Sequence, residues 1–507
     1  MSSPQSFFGA DQPAERGYIQ AYFDKTKSAS CVFLHRPTVL SKWSQGKLDP
    51  TLLKALLAAG RRFTRGLDDD IVQPLMRDAH SAILARLNKF SVSRLQALVL
   101  VIQFRLQAGD TVEAWNLMSL AARFAFTLRL NYERPDLDDV TRESHRRLFW
   151  AIYLLDRLFA SGIEDLSLCP LDRIHIRLPC DDRSFERGIA SRAEYFKQDA
   201  ASERCIMDPL AYLIRLYECR ENILRHTKQV RREGISPAAT ADKQVALQAE
   251  LNDFEASLPD HLQHKPQCLP IVAYSGDAHS FFLIHSIWLQ CHCDLYRFFI
   301  PGIRESVSGA VAASTPAEYV DFCTANCLDS ALKLCDFWSD MLKLWSADVI
   351  EETMVDVSIY QVAQVLHSLH HLLPRTGPHS IEALKSALQN TLDVVSTSRN
   401  RVSRSSPGLE AAERLVRLLG QATTTSKTRR SPQENIHHLP SHGSLIPETC
   451  SSDEAEPSRQ PVQYTPHGAV MNTGEGDAAV ASVGGLPQSD LIFPVRRSAC
   501  LLKAISR

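Results

Sequence analysis

Ser93 to Asn131 reads SRLQALVLVIQFRLQAGDTVEAWNLMSLAARFAFTLRLN, and the spacing of its apolar residues decides the fold class. Ser93 and Gln96 stand at the distance of a helix N-cap and its reciprocal partner, ahead of the apolar run Leu95 to Phe104. Gly109 interrupts the chain. Asp110 and Glu113 then repeat the capping distance, and Ala114, Trp115, Met118, Ala121, Ala122, Ala125 and Leu128 return at the helical period until Asn131 offers a C-terminal cap. The stretch therefore predicts two antiparallel helices. A second helix that read DNA would carry a polar, basic face, whereas this one is apolar around much of its circumference and is expected to be buried.

A third helix is predicted just beyond, from Thr141 to Ala160, with Glu143 near its positive end and Leu148, Ile152, Leu155, Leu158 and Phe159 facing inward. Gly162 ends it, and the Pro-bounded segment Leu166 to Leu178, closed by Pro179-Cys180-Asp181-Asp182, reads as a loop wrapped around the helices. Arg123 and Asp156 sit among apolar neighbours on the second and third helices. A lone buried charge is costly, so they either pair with each other or reach solvent at the rim of the bundle.

The same period extends from about Ala14 to about Gly420, with little strand-type alternation, so the fold class is all-α: a multi-helix bundle of antiparallel helices. A polar break at Arg231 to Thr240, containing Gly234, Ser236 and Pro237, divides the helical region. After Gly420 the sequence turns to Ser-, Thr-, Pro- and Gly-rich stretches that lack the apolar residues needed to order a backbone, and a disordered tail is expected over residues 421–507. Within it lie the basic cluster Lys427, Arg429 and Arg430, which suits nuclear import or a solvated charge group. The acidic and bulky apolar mixture of Glu448 to Glu456 and Asp490 to Phe493 suits an activation segment that folds onto a coactivator groove.

In 507 residues, 44% are hydrophobic and 22% charged, enough for one large core. The formal net charge of −2 provides no broad basic surface for phosphate contact. There is no basic start with an apolar stretch of the secretory kind and no run of membrane-spanning length, so a soluble, intracellular protein with no membrane contact is expected. Its 13 scattered cysteines read as reduced, buried thiols.

The densest potential ligands are Cys291-His292-Cys293 with His285 nearby. Neighbours along a helix diverge, so these should be core residues and not a metal site. Cys323 and Cys327 share a helix face and are expected as a buried thiol pair, with redox sensing as the alternative. His367, His370 and His371 lack the third ligand of a zinc site. With neither a phosphate loop nor a nucleophile elbow in the sequence, no catalytic, cofactor-binding, metal or DNA-binding residue is assigned, and enzyme activity is not expected.

Leu34-His35-Arg36-Pro37, Gly109 to Asn131, the block Arg146 to Arg157 and Ile176 to Asp182 together resemble the fungal-specific transcription factor domain in order and approximate spacing. The resemblance covers residues 17–301, is strongest over 17–187, and includes the later landmarks Leu258-Pro259 and Leu295-Tyr296-Arg297. It leaves 1–16 as a short leading segment and 302–420 as a helical continuation. The resemblance implies a helical regulatory domain acting in the nucleus, as a homodimer or heterodimer, with coactivators or corepressors and a small-molecule effector as partners, and control of a metabolic gene set. In family members a six-cysteine zinc cluster precedes this domain. No two cysteines here are separated by two residues, as such a cluster requires, so zinc and direct DNA contact are expected only from a cluster encoded upstream, and otherwise through a partner. The alternative is an interaction or ligand-sensing module that regulates transcription without touching DNA.

Overall fold

The computed structural model describes residues 12–26, 29–189, 193–196, 207–265, 267–303, 305–345, 352–399 and 406–419. The expected disordered tail, its basic cluster and both acidic segments lie outside the described residues.

The predicted hairpin is present as α5 (Val92–Gln107) packed against α6 (Thr111–Thr127). Its caps differ in detail. Ser91, not Ser93, is the N-cap of α5, its hydroxyl accepting from the Arg94 amide, while Gln96 turns into the core and donates to Ser144 Oγ at 3.4 Å. Asp110 does precede α6, but its side chain makes no capping bond and instead accepts from Arg105, as Glu113 also does. The helix closes at Leu128 through Arg129, which takes a left-handed φ of 53°. Asn131 is buried beyond it, its amide donating to the Arg173 carbonyl at 2.9 Å.

Around this hairpin stand α1 (Gln12–Lys25), α2 (Arg36–Ser44), α3 (Pro50–Arg65) and α4 (Val72–Leu84). The helical region thus begins inside the leading segment. Helices α1 and α3 cross so closely that a Cβ on Gly60 would lie 1.9 Å from the Tyr18 carbonyl oxygen, so this position requires glycine.

Helix α7 (Asp139–Ala160) is the third predicted helix, beginning slightly earlier. Asp138 caps it, accepting from the Thr141 amide at 3.0 Å. From Arg146 to Ala160 it is buried on every side and not on one face alone, as befits a central helix. The following loop holds short 3-10 turns at Glu164–Leu166 and Leu171–Arg173 and leads into the short α8 (Asp182–Arg187).

The second half consists of α9 (Pro209–Glu233), α10 (Ala241–Ser257), α11 (Leu269–Ala273), α12 (Ala278–Tyr296), α13 (Gly309–Ser314), α14 (Ala317–Leu344), α15 (Thr353–Ser368), α16 (Ile381–Arg399) and α17 (Pro407–Leu419). The expected break is where α9 ends at a left-handed Gly234 and a 3-10 turn spans Pro237–Thr240. It is a loop within one hydrophobic core, because α9 packs on α7 on one side and α12 on the other. Ala29 near the chain start donates its amide to Glu352 at 2.8 Å, joining distant parts of the sequence. Among the described residues there is no β-strand, only the isolated bridges Tyr132 to His175 and Arg177 to Tyr195.

Candidate functional site

The landmarks separated in the sequence converge on α7. Arg147, with 1% of its side chain exposed, donates from Nε to Glu143 at 2.9 Å and from its terminal nitrogens to Asp182 at 2.5 Å and the Cys180 carbonyl at 2.7 Å. Its guanidinium also lies 4.4 Å from the centre of the Phe185 ring. Arg146 forks onto Glu133, both bonds at 3.0 Å, and reaches Glu143 as well. Glu143 in turn accepts from the Cys180 amide at 3.0 Å. Ser144 donates to the Phe33 carbonyl at 2.7 Å, and Trp150 to the Arg177 carbonyl at 2.7 Å. His35 donates from Nε2 to the Glu186 carbonyl at 3.2 Å and accepts at Nδ1 from Thr38. The side chains of α7 therefore carry the backbone polar groups of segments that have no regular structure of their own.

The pairing of Arg123 with Asp156 does not occur. Arg123 is exposed on α6. Asp156 is buried and accepts from the Leu168 and Cys169 amides at 2.9 and 3.0 Å and from Ser167 Oγ at 3.4 Å, so it organises the loop after α7. Burial raises its carboxyl above the usual range, against the pull of Arg157 and these amides. Arg157 donates to the Cys169 carbonyl at 2.7 Å and lies 3.6 Å from Glu218 and from Glu221 on α9.

Two clefts flank the N-terminal half of α7, with Val140 on the wall of both. The first, about 270 Å³, has Glu133, Asp139, Arg142, Glu143, Arg146 and Arg177 among its lining residues. Its ion pairs are internal, Arg146 being held by Glu133 and Glu143 and Arg142 by Asp139, while Arg177 lies over the Tyr195 ring. At its inner edge, burial pushes the Cys180 thiol up to about 12, which keeps it protonated and unreactive. Behind Arg147, burial and the neighbouring Asp182 lift Asp208, the N-cap of α9, to about 7, opposed by Arg147. The second cleft, about 340 Å³, lies between α2, α3, α5 and α7.

The cysteine and histidine groups noted in the sequence do not assemble. Cys291 and Cys293 are buried core thiols. His292 is half-buried beside Gln248 at 3.3 Å, and His285 donates to the Leu262 carbonyl at 2.8 Å. Burial lowers His285 to about 3 and His292 to about 4, so both rings are neutral at ordinary pH. Cys327 meets Cys293 across α12 and α14, each thiol facing the other's carbonyl at 3.7 and 3.9 Å, while Cys323 lies against Gln244 and Tyr319. His370 donates to the His367 carbonyl at 2.8 Å. Among the described residues no three His, Cys, Asp or Glu side chains gather as a metal site.

Sequence reasoning missed the buried group in which Asp294 on α12 receives Arg297, just past that helix, at 3.1 Å and Arg220 on α9 at 3.5 Å, because only the tertiary packing brings Arg220 to it. It also missed the second cleft beside α7. Its lysines stand close together in the chain, but nothing in their spacing announces a cavity.

The site is thus a set of helices and loops gathered on a charged central helix, with a cleft on each side of its N-terminal half. Residues 19–235 match the family described as "Fungal specific transcription factor domain". An uncharacterized transcriptional regulatory protein of Schizosaccharomyces pombe is 24% identical over 55% of this chain and 38% of its own length. The Zn(2)-C6 fungal-type transcription factor FTF1c of Fusarium oxysporum f. sp. lycopersici is 24% identical over 54% of this chain and 33% of its own. A second S. pombe transcriptional regulatory protein is 27% identical over 34% of this chain and 19% of its own length. The chain thus aligns with well under half of each of these relatives. No solved structure matches it.

Proposed function

We propose that this chain is the regulatory part of a fungal transcription regulator, working in the nucleus on a metabolic gene set and not as an enzyme. The observation that carries this reading is the family match over 19–235, whose landmark residues are the ones that α7 holds together. The relatives named as transcription regulators support it. The ion pairs that occupy Arg142, Arg146, Glu133 and Glu143 in the first cleft speak against a catalytic role for them.

A second reading is favoured by the absence of any cysteine pair with two residues between them in the sequence. In it the chain works as a partner-bound module, with coactivators, corepressors or a DNA-binding subunit as its homo- or heterodimeric partners, and zinc enters only through residues outside this sequence. Mapping the transcript's 5′ end and reading the frame upstream separates the two: a six-cysteine cluster there favours the first reading and its absence the second, whereas salt-sensitive DNA binding by this chain alone contradicts both. For the regulatory reading itself, transcripts are profiled in a strain lacking the gene. A coherent set of changed metabolic transcripts is expected, and an unchanged profile under varied carbon and nitrogen sources contradicts it.

A further inference from the structure

A third cleft, of about 470 Å³, opens where the end of α6 meets the loop after α7. Asn131 joins the two segments that form it: its side-chain amide donates to the Arg173 carbonyl at 2.9 Å, and its own carbonyl accepts from the His175 amide at 2.8 Å. Next to it Tyr132 and His175 make a parallel bridge, their rings stacked with centres 4.9 Å apart and planes 24° from parallel. Tyr132 is 50% exposed and His175 is exposed too, so this stack is not part of the core. Just ahead of the bridge come Arg129 on one segment and Asp172 and Arg173 on the other, and all three line the same cleft. All three are exposed, and none is held in an ion pair, unlike the arginines Arg142 and Arg146 of the first cleft. Arg129 also stands against the preference of its backbone. Its φ is 53°, and its amide and that of Leu130 bond back to the Phe126 and Ala125 carbonyls, each at 3.0 Å, to close α6. Glycine takes that position at lower cost, so the fold itself gives no reason for a long cation there.

The volume of the cleft falls within the range that holds small ligands, and its lining is mostly polar. An exposed aromatic pair receives a planar ring by stacking, and the large ring system of a purine gains most from it. Two uncommitted guanidinium groups match the oxygens of a phosphate, and a free carboxylate accepts from hydroxyls. We propose that this cleft binds purine nucleoside monophosphates. The base stacks on the Tyr132–His175 pair, Arg129 and Arg173 hold the phosphate, and Asp172 accepts from the sugar hydroxyls. The loop that supplies Asp172, Arg173 and His175 is the one Asp156 ties to α7 through the Leu168 and Cys169 amides, so the ligand bridges the end of α6 and the central helix. The binding does not depend on the transcriptional reading.

Calorimetric titration of the full chain with AMP, with adenosine as the ligand lacking phosphate and ribose 5-phosphate as the ligand lacking a base, tests the proposal. Saturable binding of AMP is expected, with adenosine and ribose 5-phosphate each at least about tenfold weaker. Arg129→Gly removes the cation and relieves the backbone, so the variant should fold, and it is expected to weaken AMP about fivefold while leaving adenosine unchanged. Tyr132→Ala should weaken AMP and adenosine alike. Absence of saturable AMP binding, equal AMP affinity in Arg129→Gly, or ribose 5-phosphate binding as tightly as AMP overturns the proposal. So does affinity for single-stranded oligoadenylates that climbs with strand length, because the site would then serve a nucleic-acid strand and not a small ligand.

Discussion

Arg147 is the residue on which the convergence at α7 depends most, because its guanidinium is fully enclosed and its donors reach Glu143 on its own helix, the Val32 carbonyl and the segment from Cys180 to Asp182. Removing one partner of a buried ion pair leaves the others charged and unmatched, at about 3–5 kcal/mol. Arg147→Ala is therefore expected to lose about that much in urea denaturation, with Glu143 and the Cys180 carbonyl left unsatisfied. Arg123→Ala, on an exposed side chain, should stay within about 0.5 kcal/mol. Asp208 gives a pH signature. Its carboxyl rests at about 7 in the folded chain against an ordinary 3.8, so the folded state holds the proton more tightly than the unfolded one. Its contribution is fully present below about pH 4 and is lost as the pH rises from about 4 to about 7. Asp208→Asn, which keeps a capping side chain, should remove that slope. The stability of the wild type relative to the variant is then expected to decline across this window. A pH-independent difference between the two proteins contradicts the assignment. The charged groups facing Asp208 are Asp182 and Arg147.

At the scale of the element, helix existence was legible and helix edges were not. The periods of Leu95 to Phe104 and Ala114 to Ala125 placed α5 and α6 correctly, since burial of an apolar face is a property of many residues at once. A cap depends on one residue, and α5 offered two serines within three positions. Backbone geometry selects Ser91, so Ser91→Ala is expected to cost about 1 kcal/mol. Ser93→Ala should cost within about 0.5 kcal/mol, as thermal denaturation of the two variants can compare. The closeness of α1 and α3 was invisible in the sequence, where Gly60 reads as an ordinary helical glycine. Gly60→Ala is expected to destabilise by about 1–3 kcal/mol through overpacking against the Tyr18 carbonyl, whereas the same change at Gly17, which has open space around it, should have a far smaller effect. The partners of Asp156 were illegible for the same reason. They are backbone amides of an irregular loop, and no side-chain pattern encodes them.

For the molecule as a whole, the sequence announced an all-helical protein and a resemblance that the family match over 19–235 bears out, and the structure adds how the parts cohere. The break near Gly234 suggested two parts, yet α9 packs on α7 and on α12, so both sides share one core. What remained hidden was the pair of clefts beside α7, since the first is closed by irregular segments that fold back on α7 and the second by helices from α2 to α7. The central claim is that this core is a transcriptional regulatory domain. Its most direct test fuses the full chain to a heterologous DNA-binding domain in a fungal host and measures output from a reporter carrying that domain's sites. The account predicts that the fusion raises or lowers output relative to the DNA-binding domain alone, and that Arg147→Ala, which undoes the core around α7, abolishes the change. Output equal to that of the DNA-binding domain alone, from a fusion present at normal level on the reporter, would contradict it.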